Sequence, residues 1–369
     1  MVTSLGHDAV TSCAAARAGM ARTRELEYFT VWSPSDGEVS PVTAHEIPEI
    51  TTGFEANARL LRILQAALAD LKNQHVVPWH ATRWYLSLAD PSREWRGEAL
   101  IADEEIRNII SESGKMIGDD DADLQGAGEL LEKALMICSI EAPASLKMVS
   151  RSGHCGVVEC LAAAVQDLQT GQTECAIVGG CDSLLGEQTL EWLEFTGRLK
   201  SPSIPAGLAP GEAGVFLMLE TANAAQQRSM PPLASVRQVH LGHEEKTLLS
   251  SEPPLGVGVA ELLKLACKER AENAVGPLWL VTDQNGEYYR AMEWGQAVVR
   301  AVSDVQRLQD AVISYPAISF GDTGAASGGV AIATVLRAFN RGYSASDHAT
   351  ILSVSDAEPR GAVQLSKVA

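Results

Sequence analysis

The sequence has 369 residues, enough for one large domain or two ordinary ones, with 46% hydrophobic and 21% charged residues. Its formal net charge of −18 predicts repulsion from nucleic acid and from anionic membranes. No apolar run approaches the ~20 residues of a membrane span, and no signal peptide is evident. Seven scattered cysteines without a CxxC pair predict a cytoplasmic protein with free thiols and no zinc site.

In chain order, the first part of the sequence alternates between predicted helices and strands. Apolar residues at helical spacing predict an amphipathic helix over 53–71. The adjacent glycines Gly179 and Gly180 predict a turn after a buried strand. The other elements predicted here are strands at 83–88, 146–149, 174–178 and 214–220, helices at 126–139 and 156–169, and a tight turn at 152–156.

The second part repeats this alternation after a polar, proline-containing boundary at 226–232. Each part contains a small-residue turn that opens a buried helix, although no repeat is visible residue by residue. We therefore predict an α/β fold of parallel sheet layered by helices, with halves at 1–225 and 233–369 in one compact unit. The elements predicted in the second half are strands at 236–240, 278–282, 349–353 and 363–366, helices at 258–271 and 287–308, and a helix from the turn at 320–326 to residue 339.

Four short motifs follow one another along nearly the whole chain: MVTSLG at 1–6, GQTECAIVGGCD at 171–182, APGEAGVFLMLE at 209–220 and GDTGAASGG at 321–329. Their order and spacing resemble the beta-ketoacyl-ACP synthase (3-oxoacyl-ACP synthase) family of the thiolase fold. The resemblance implies two similar βαβαβαββ halves that form a five-layered αβαβα core. It also implies a homodimer, or a heterodimer with a ketosynthase, that uses no cofactor and meets an acyl carrier protein.

The N-terminal motif has a further consequence under this resemblance. Residues 1–6 resemble the turn that follows the family's first strand, which would lie in the centre of the sheet. We therefore expect either a truncated sequence or a rearranged sheet edge, because a missing buried strand removes ladder hydrogen bonds.

The family places a nucleophilic cysteine at the start of the helix that corresponds to 156–169. A helix N-terminus lowers the pKa of a thiol and directs N–H groups at a developing negative charge. Two adjacent residues compete for this position. Cys155 is either the nucleophile or a small buried residue under the turn. His154 either replaces the nucleophile or is a turn residue that bonds the backbone.

Two histidines complete the family's catalytic set, and this chain has other residues at both positions. Asn285, before Gly286, is either a hydrogen-bond donor to an acyl carbonyl or part of an Asn-Gly turn. Asp322 would oppose an oxyanion when ionised, and its alternative role is an N-cap for the following helix. Cys155, His154, Asn285 and Asp322 are thus the candidate catalytic positions of a divergent member that lacks the Cys-His-His set.

These substitutions favour a protein of fatty-acid or polyketide-type metabolism that does not condense acyl groups itself. We expect a partner of an active synthase, similar to a chain length factor. The alternatives are an acyltransferase or thioester hydrolase with Cys155 as nucleophile, and a scaffold without an acyl site.

An acidic carrier protein would need a local basic patch on this acidic chain. The sequence offers two groups of basic residues for that role. They are Arg93 with Arg96, and Lys264 with Lys268 and Arg270.

Overall fold

The structure is a computed structural model. Within the residues it describes, no helix is both long and apolar enough to span a bilayer. These residues are 1–33, 37–90, 93, 120–143, 145–228, 231–250, 252–268 and 276–368.

The first half contains a five-stranded sheet in the order β1-β7-β6-β4-β5, and a separate hairpin of β2 and β3. Strands β4, β5 and β6 are parallel, and β7 is antiparallel to both of its neighbours. The elements are β1 (Val2–Thr3), α1 (Ala9–Arg17), β2 (Arg24–Trp32), β3 (Val39–Ala44), α2 (Pro48–Thr51), α3 (Ala56–Gln74), β4 (Thr82–Leu88), α4 (Asp120–Ile137), β5 (Leu146–Ser150), α5 (Gly156–Gln169), β6 (Cys175–Ser183), α6 (Glu187–Phe195), β7 (Glu212–Glu220) and α7 (Ala222–Gln227).

The second half contains another five-stranded sheet, in the order β10-β9-β11-β12-β8. Here β9, β10 and β11 are parallel, and β12 is antiparallel to both of its neighbours. The elements are β8 (Ala234–His243), α8 (Val257–Lys268), β9 (Trp279–Thr282), α9 (Tyr288–Ala301), β10 (Val312–Ser314), α10 (Ala317–Phe320), α11 (Ser327–Arg341), β11 (His348–Val354) and β12 (Pro359–Lys367).

The two sheets have the same topology. When the β2–β3 hairpin is set aside, each sheet runs in the order third, second, fourth, fifth and first strand of its half, and only the fifth strand is reversed. The predicted duplication is therefore confirmed in strand order, and the predicted α/β class is confirmed as well.

Helices separate and cover the two sheets to give five layers. The buried helices α5 and α11 lie between the sheets, where their apolar residues share one core with both. Helices α3 and α4 cover the outer face of the first sheet, and α8 and α9 cover that of the second. This order of layers is the αβαβα core that the sequence predicted.

Two local predictions were wrong. Gly179 and Gly180 do not end a strand but lie inside β6, where a Cβ would stand 2.4 Å from the Phe216 ring or 2.7 Å from Val157. Their role is close packing of the sheet on its neighbours rather than chain reversal. The helix predicted over 287–308 stops at Ala301 and is followed by a short 3-10 helix, Gln306–Asp310.

The N-terminal motif contains the predicted turn at residues 4–5, preceded by a short strand. Val2 and Thr3 do form a strand, which pairs antiparallel with Gly214 and Ala213 of β7 at the sheet edge. This pairing at the sheet edge agrees with the rearranged edge, one of the two expectations for this segment. The Met1 ammonium group contacts the buried Asp70 carboxylate at 2.5 Å, which ties this segment to α3.

Candidate functional site

Two short 3-10 turns occupy equivalent places in the two halves. Gly153–Cys155 directly precedes α5, and Gly324–Ala326 directly precedes α11. Both turns open on a glycine with positive φ, +54° and +50°, which glycine adopts without the steric clash of a Cβ. The starts of the two central helices therefore meet where the halves join, and the candidate residues lie around this meeting point.

Three of the four candidate residues form a hydrogen-bonded chain across the two halves. His154 Nε2 lies 2.8 Å from Asp322 Oδ1. Asn285 Nδ2 donates to Asp322 Oδ2 at 2.6 Å and to Glu287 Oε2 at 2.6 Å. Asp322 also accepts from the Gly324 N–H at 2.8 Å, as an N-cap would. Asp322 thus connects both turns to the segment after β9.

Arg290 completes this cluster and was not anticipated from the sequence. It extends from α9 with 2% exposure, and its Nη2 lies 3.0 Å from His154 Nδ1. The same guanidinium donates to Val354 O at 2.6 Å and to Asp356 Oδ1 at 2.9 Å. The sequence did contain one signal for it, because Arg290 lies on the core-facing side of an amphipathic helix. A buried arginine is almost always paired, so this position predicts an acidic partner.

Two observations on the His154 ring disagree about whether the ring is protonated. Burial and Arg290 lower the pKa of His154, while Asp322 and Asp283 raise it, and the net direction is upward. However, arginine can only donate, so the 3.0 Å contact at Nδ1 requires a lone pair there. We therefore assign the neutral ring, which accepts from Arg290 at Nδ1 and donates from Nε2 to Asp322.

Two carboxylates of the cluster, Asp322 and Asp356, are held ionised by their neighbours. Burial acts to raise the pKa of Asp322, but His154, Arg290 and Asn285 outweigh it and keep that pKa well below its usual range. The pKa of Asp356 is lowered in the same way against burial, by Arg198 and Arg290. This region is therefore a charge network in which acids and guanidinium groups compensate one another.

Arg198, in the first half, makes the second ionic connection to the other half. Its Nε lies 2.6 Å from Glu287 Oε1, and its Nη1 lies 2.9 Å from Asp356 Oδ2. The guanidinium also stacks over Trp192, with 4.8 Å between Cζ and the ring centroid. Arg198 and Arg290 thus hold Glu287 and Asp356 from two sides.

Cys155 faces away from this network. Its Sγ lies 3.0 Å from Ser353 O and 3.1 Å from Pro359 O, at the neighbouring ends of β11 and β12. Burial raises the pKa of the Cys155 thiol to about 12. A neutral, fully buried thiol bonded to carbonyl oxygens is a poor nucleophile, and this geometry favours the packing interpretation of Cys155.

The main-chain N–H groups at the two helix starts are occupied by the protein's own oxygens. The Cys155 N–H donates to Ser355 Oγ at 3.2 Å, and the Ala325 N–H donates to Asp182 Oδ2 at 2.8 Å. Asp182 is itself bound by both Nη atoms of Arg93, at 2.9 and 3.0 Å. These N–H groups are therefore not available as donors for an oxyanion.

The remaining space at the site is small. A cavity of about 70 Å³ borders His154, Asp322, Arg198 and Asp356. Pockets that bury a drug-sized ligand usually have ~300–1,000 Å³, whereas this cavity has room for a few water molecules. Charged side chains from both halves line this cavity.

The basic groups expected to meet a carrier protein are largely engaged or outside the described residues. Arg93 is paired with Asp182, and Lys264 lies 2.7 Å from Asp304. Arg96 and Arg270, and the side chain of Lys268, lie outside the part of the chain that the structure describes. Neither group forms a free basic patch through the residues described.

No protein-family model and no curated protein sequence matches the chain. The fold is similar to solved ketosynthases. "The ishigamide ketosynthase/chain length factor" has a TM-score of 0.71 at 15% identity, with 100% of this chain and 97% of that chain covered. The AntDE:AntF complex, a type II PKS acyl-carrier protein with its ketosynthase, has a TM-score of 0.72 at 12% identity over 100% and 97% of the two chains. The ketosynthase from module 6 of the bacillaene synthase of Bacillus subtilis 168 has a TM-score of 0.68 at 12% identity over 98% and 69%. The chain therefore has the thiolase-like fold of the ketosynthases.

Proposed function

We propose that this protein is a non-condensing, ketosynthase-like subunit that pairs with an active synthase, as a chain length factor does. The observation that carries the proposal is the His154 ring, whose two nitrogens lie 2.8 Å from Asp322 and 3.0 Å from Arg290. A ring engaged on both sides is neither a free base nor a nucleophile. His154 then acts as a connection between the two halves rather than as a catalytic residue.

Charge supports the same conclusion. Condensation develops negative charge on an oxygen, and catalysts place donors around that charge. Here Asp322 puts an ionised carboxylate at one of the positions where the family has a histidine. Losing such donors and proton carriers costs ~3 kcal/mol or more of barrier for each group.

The partner of this subunit would be a cytoplasmic synthase that keeps a cysteine and two histidines, in fatty-acid or polyketide-type metabolism. The likeness to a ketosynthase/chain length factor and to a ketosynthase in complex with its carrier protein supports this choice of partners. The carrier protein would deliver acyl groups to the pair, and condensation would take place in the other subunit.

Co-expression tests the pairing. A tagged form of this chain is expressed with each synthase from the same genome that retains the cysteine and both histidines, and the products are separated by size-exclusion chromatography with light scattering. We expect a one-to-one heterodimer. A stable homodimer that takes up none of these synthases would contradict the proposal.

The substitution His154→Gln separates a connecting role from a catalytic one. The glutamine amide can accept from Arg290 and donate to Asp322, so both hydrogen bonds have a replacement, whereas proton transfer is lost. We expect the purified heterodimer to condense malonyl and acyl thioesters at a rate within about twofold of the unmodified pair. A loss of about 100-fold or more at unchanged stability would assign His154 to catalysis.

The alternative with Cys155 as nucleophile has a direct test. The chain is incubated with acyl thioesters and examined by intact-protein and peptide mass spectrometry, with Cys155→Ala as the control. We expect no acyl group on Cys155, because the thiol is buried and neutral. An adduct that maps to Cys155 and disappears in the control would establish an acyltransferase or hydrolase instead.

A further inference from the structure

Three arginines meet at the far end of the central helix α11. Arg337 and Arg341 lie in its last two turns, and Arg17 is the last residue of α1, which packs beside it. Gly342 ends α11 in the left-handed conformation, with φ +68°, so the chain folds back and places Tyr343 at this end. A helix of 15 residues is about 22 Å long, so this end is remote from His154 at the other end.

Tyr343 is the centre of the group. The Arg17 guanidinium carbon lies 4.2 Å from the centroid of its ring, which is cation–π distance. Burial raises the pKa of the Tyr343 hydroxyl, and the charges of Arg17, Arg337 and Arg341 all act against it. Arg337 and Arg341 are one helical turn apart near the end of α11, so all three positive charges lie at the end of the helix where Tyr343 lies.

These charges are not neutralised within the described chain. No carboxylate among the described residues is within ion-pair distance of Arg17, Arg337 or Arg341. By contrast, nearby Arg22 is paired with Glu49 at 2.7 Å. The chain as a whole has a net charge of −18, whereas these three guanidinium groups form a local cluster of positive charge.

Helix termini explain this arrangement only in part. A cation in the last turn interacts favourably with the carbonyl end of a helix, which accounts for Arg17 and Arg341. Arg337 and Arg341, however, are spaced i and i+4, where like charges repel and destabilise the helix. The cluster is thus maintained against a local electrostatic penalty.

From these observations we infer that Arg17, Arg337, Arg341 and Tyr343 form a docking surface for an acidic segment of a protein partner. Arg17 and Arg341 are exposed and Arg337 is half-buried, so carboxylates can reach all three guanidinium groups. Guanidinium groups bind carboxylates in paired hydrogen bonds, and the aromatic ring offers an apolar contact between them. The inference does not depend on the function proposed for the His154 site.

The overall charge selects this class of partner over other anions. At physiological ionic strength, charges act over about 8 Å. A duplex or an anionic membrane extends far beyond that distance from the patch and would meet the acidic remainder of the surface. A short acidic segment can place its carboxylates on the patch alone.

Fluorescence anisotropy at low ionic strength tests the inference. The probes are a labelled Glu/Ala helical peptide, its Gln/Ala counterpart, phosphatidylserine vesicles and a short DNA duplex. The patch variant carries Arg17→Gln, Arg337→Gln and Arg341→Gln. A matched control removes the same charge from exposed residues elsewhere, with Arg24→Gln, Lys200→Gln and Arg237→Gln. Circular dichroism verifies that both variants are folded.

We expect the Glu/Ala peptide to bind the unmodified protein. Its affinity should fall by about tenfold for the patch variant and change by less than about twofold for the control variant. The Gln/Ala peptide should bind none of the three proteins. Equal weakening in both variants, or no binding of the Glu/Ala peptide at all, would overturn the inference. Tighter, patch-dependent binding of vesicles or duplex would overturn it as well, in favour of that other class of partner.

Discussion

His154 Nε2 and Asp322 Oδ1, 168 residues apart in the sequence, lie 2.8 Å from each other at the junction of the two halves. Each residue belongs to the turn region that precedes one of the two central helices. The contact therefore links the equivalent points of a duplicated fold, and Arg290 and Arg198 extend it into a network of charges.

Replacing Arg290 should destabilise the protein strongly. Arg290→Met keeps most of the side-chain volume but removes the cation that Asp283, Glu287 and Asp356 share. Glu287 and Asp356 keep Arg198, whereas Asp283 loses its ion pair. Breaking a buried ion pair from one side typically costs about 3–5 kcal/mol, and we expect a loss of this size in the free energy of unfolding measured with urea. Arg300→Gln, on the exposed end of the same helix, is the control and should cost less than about 1 kcal/mol. A loss below about 1 kcal/mol in Arg290→Met would show that the network contributes little to stability.

The stabilising effect of Asp322 should depend on pH. Its pKa is lowered in the folded state, so its contribution is complete above the unfolded pKa of about 4 and is lost as the pH falls through the folded value. We expect Asp322→Asn to be less stable than the unmodified protein by about 3 kcal/mol at neutral pH. The difference should shrink steadily below pH ~4, as measured by urea unfolding over a pH series. Asp347→Asn, at an exposed position, should show no such convergence; a difference for Asp322→Asn that is constant with pH would contradict this assignment.

Cys138, which follows α4, and Cys155, which precedes α5, should differ in reactivity toward alkylating reagents. Cys155 is fully buried with its pKa raised to about 12, whereas Cys138 is only half-buried. Under native conditions with iodoacetamide, we expect peptide mass spectrometry to show alkylation of Cys138 first and of Cys155 only after unfolding. Labelling of Cys155 at the rate of Cys138 would mean that the turn before α5 opens in solution.

Gly324 should tolerate substitution much less well than Gly342. Both have positive φ, +50° and +68°, so alanine at either position introduces about 1–2 kcal/mol of backbone strain. At Gly342 the added Cβ meets open space, whereas at Gly324 it would stand 2.1 Å from Asp182 Oδ2. We expect Gly324→Ala to be at least about 2 kcal/mol less stable than Gly342→Ala in thermal or urea unfolding, because the Asp182 contacts with Arg93 and Ala325 must shift. Equal effects would indicate that the turn has room to adjust.

Sequence patterns accounted for the architecture and for three of the residues that meet at the site. Apolar periodicity and small-residue turns are local signals, so helix α5 was predicted with its observed bounds, Gly156–Gln169. The four motifs, taken in order, led to the layered fold that the structure contains. Asp322 was found from its place in the fourth motif, His154 from its position before the helix at 156–169, and Asn285 from its position before Gly286. The chemical role of all three stays a prediction.

Other features are set by contacts between residues distant in the sequence. A 3-10 turn rotates the chain by about 120° per residue, so the neighbouring side chains of His154 and Cys155 point to different surroundings. The packing of the second half determines which of the two faces the charge network. Arg290 reaches His154 across 136 residues, from a helix whose periodicity indicates a buried face but not what that face contacts. Local patterns therefore determined which elements form and in what order. The tertiary structure determined that the candidate residues are joined by ion pairs between the halves, because such contacts produce no periodic pattern in the sequence of either segment.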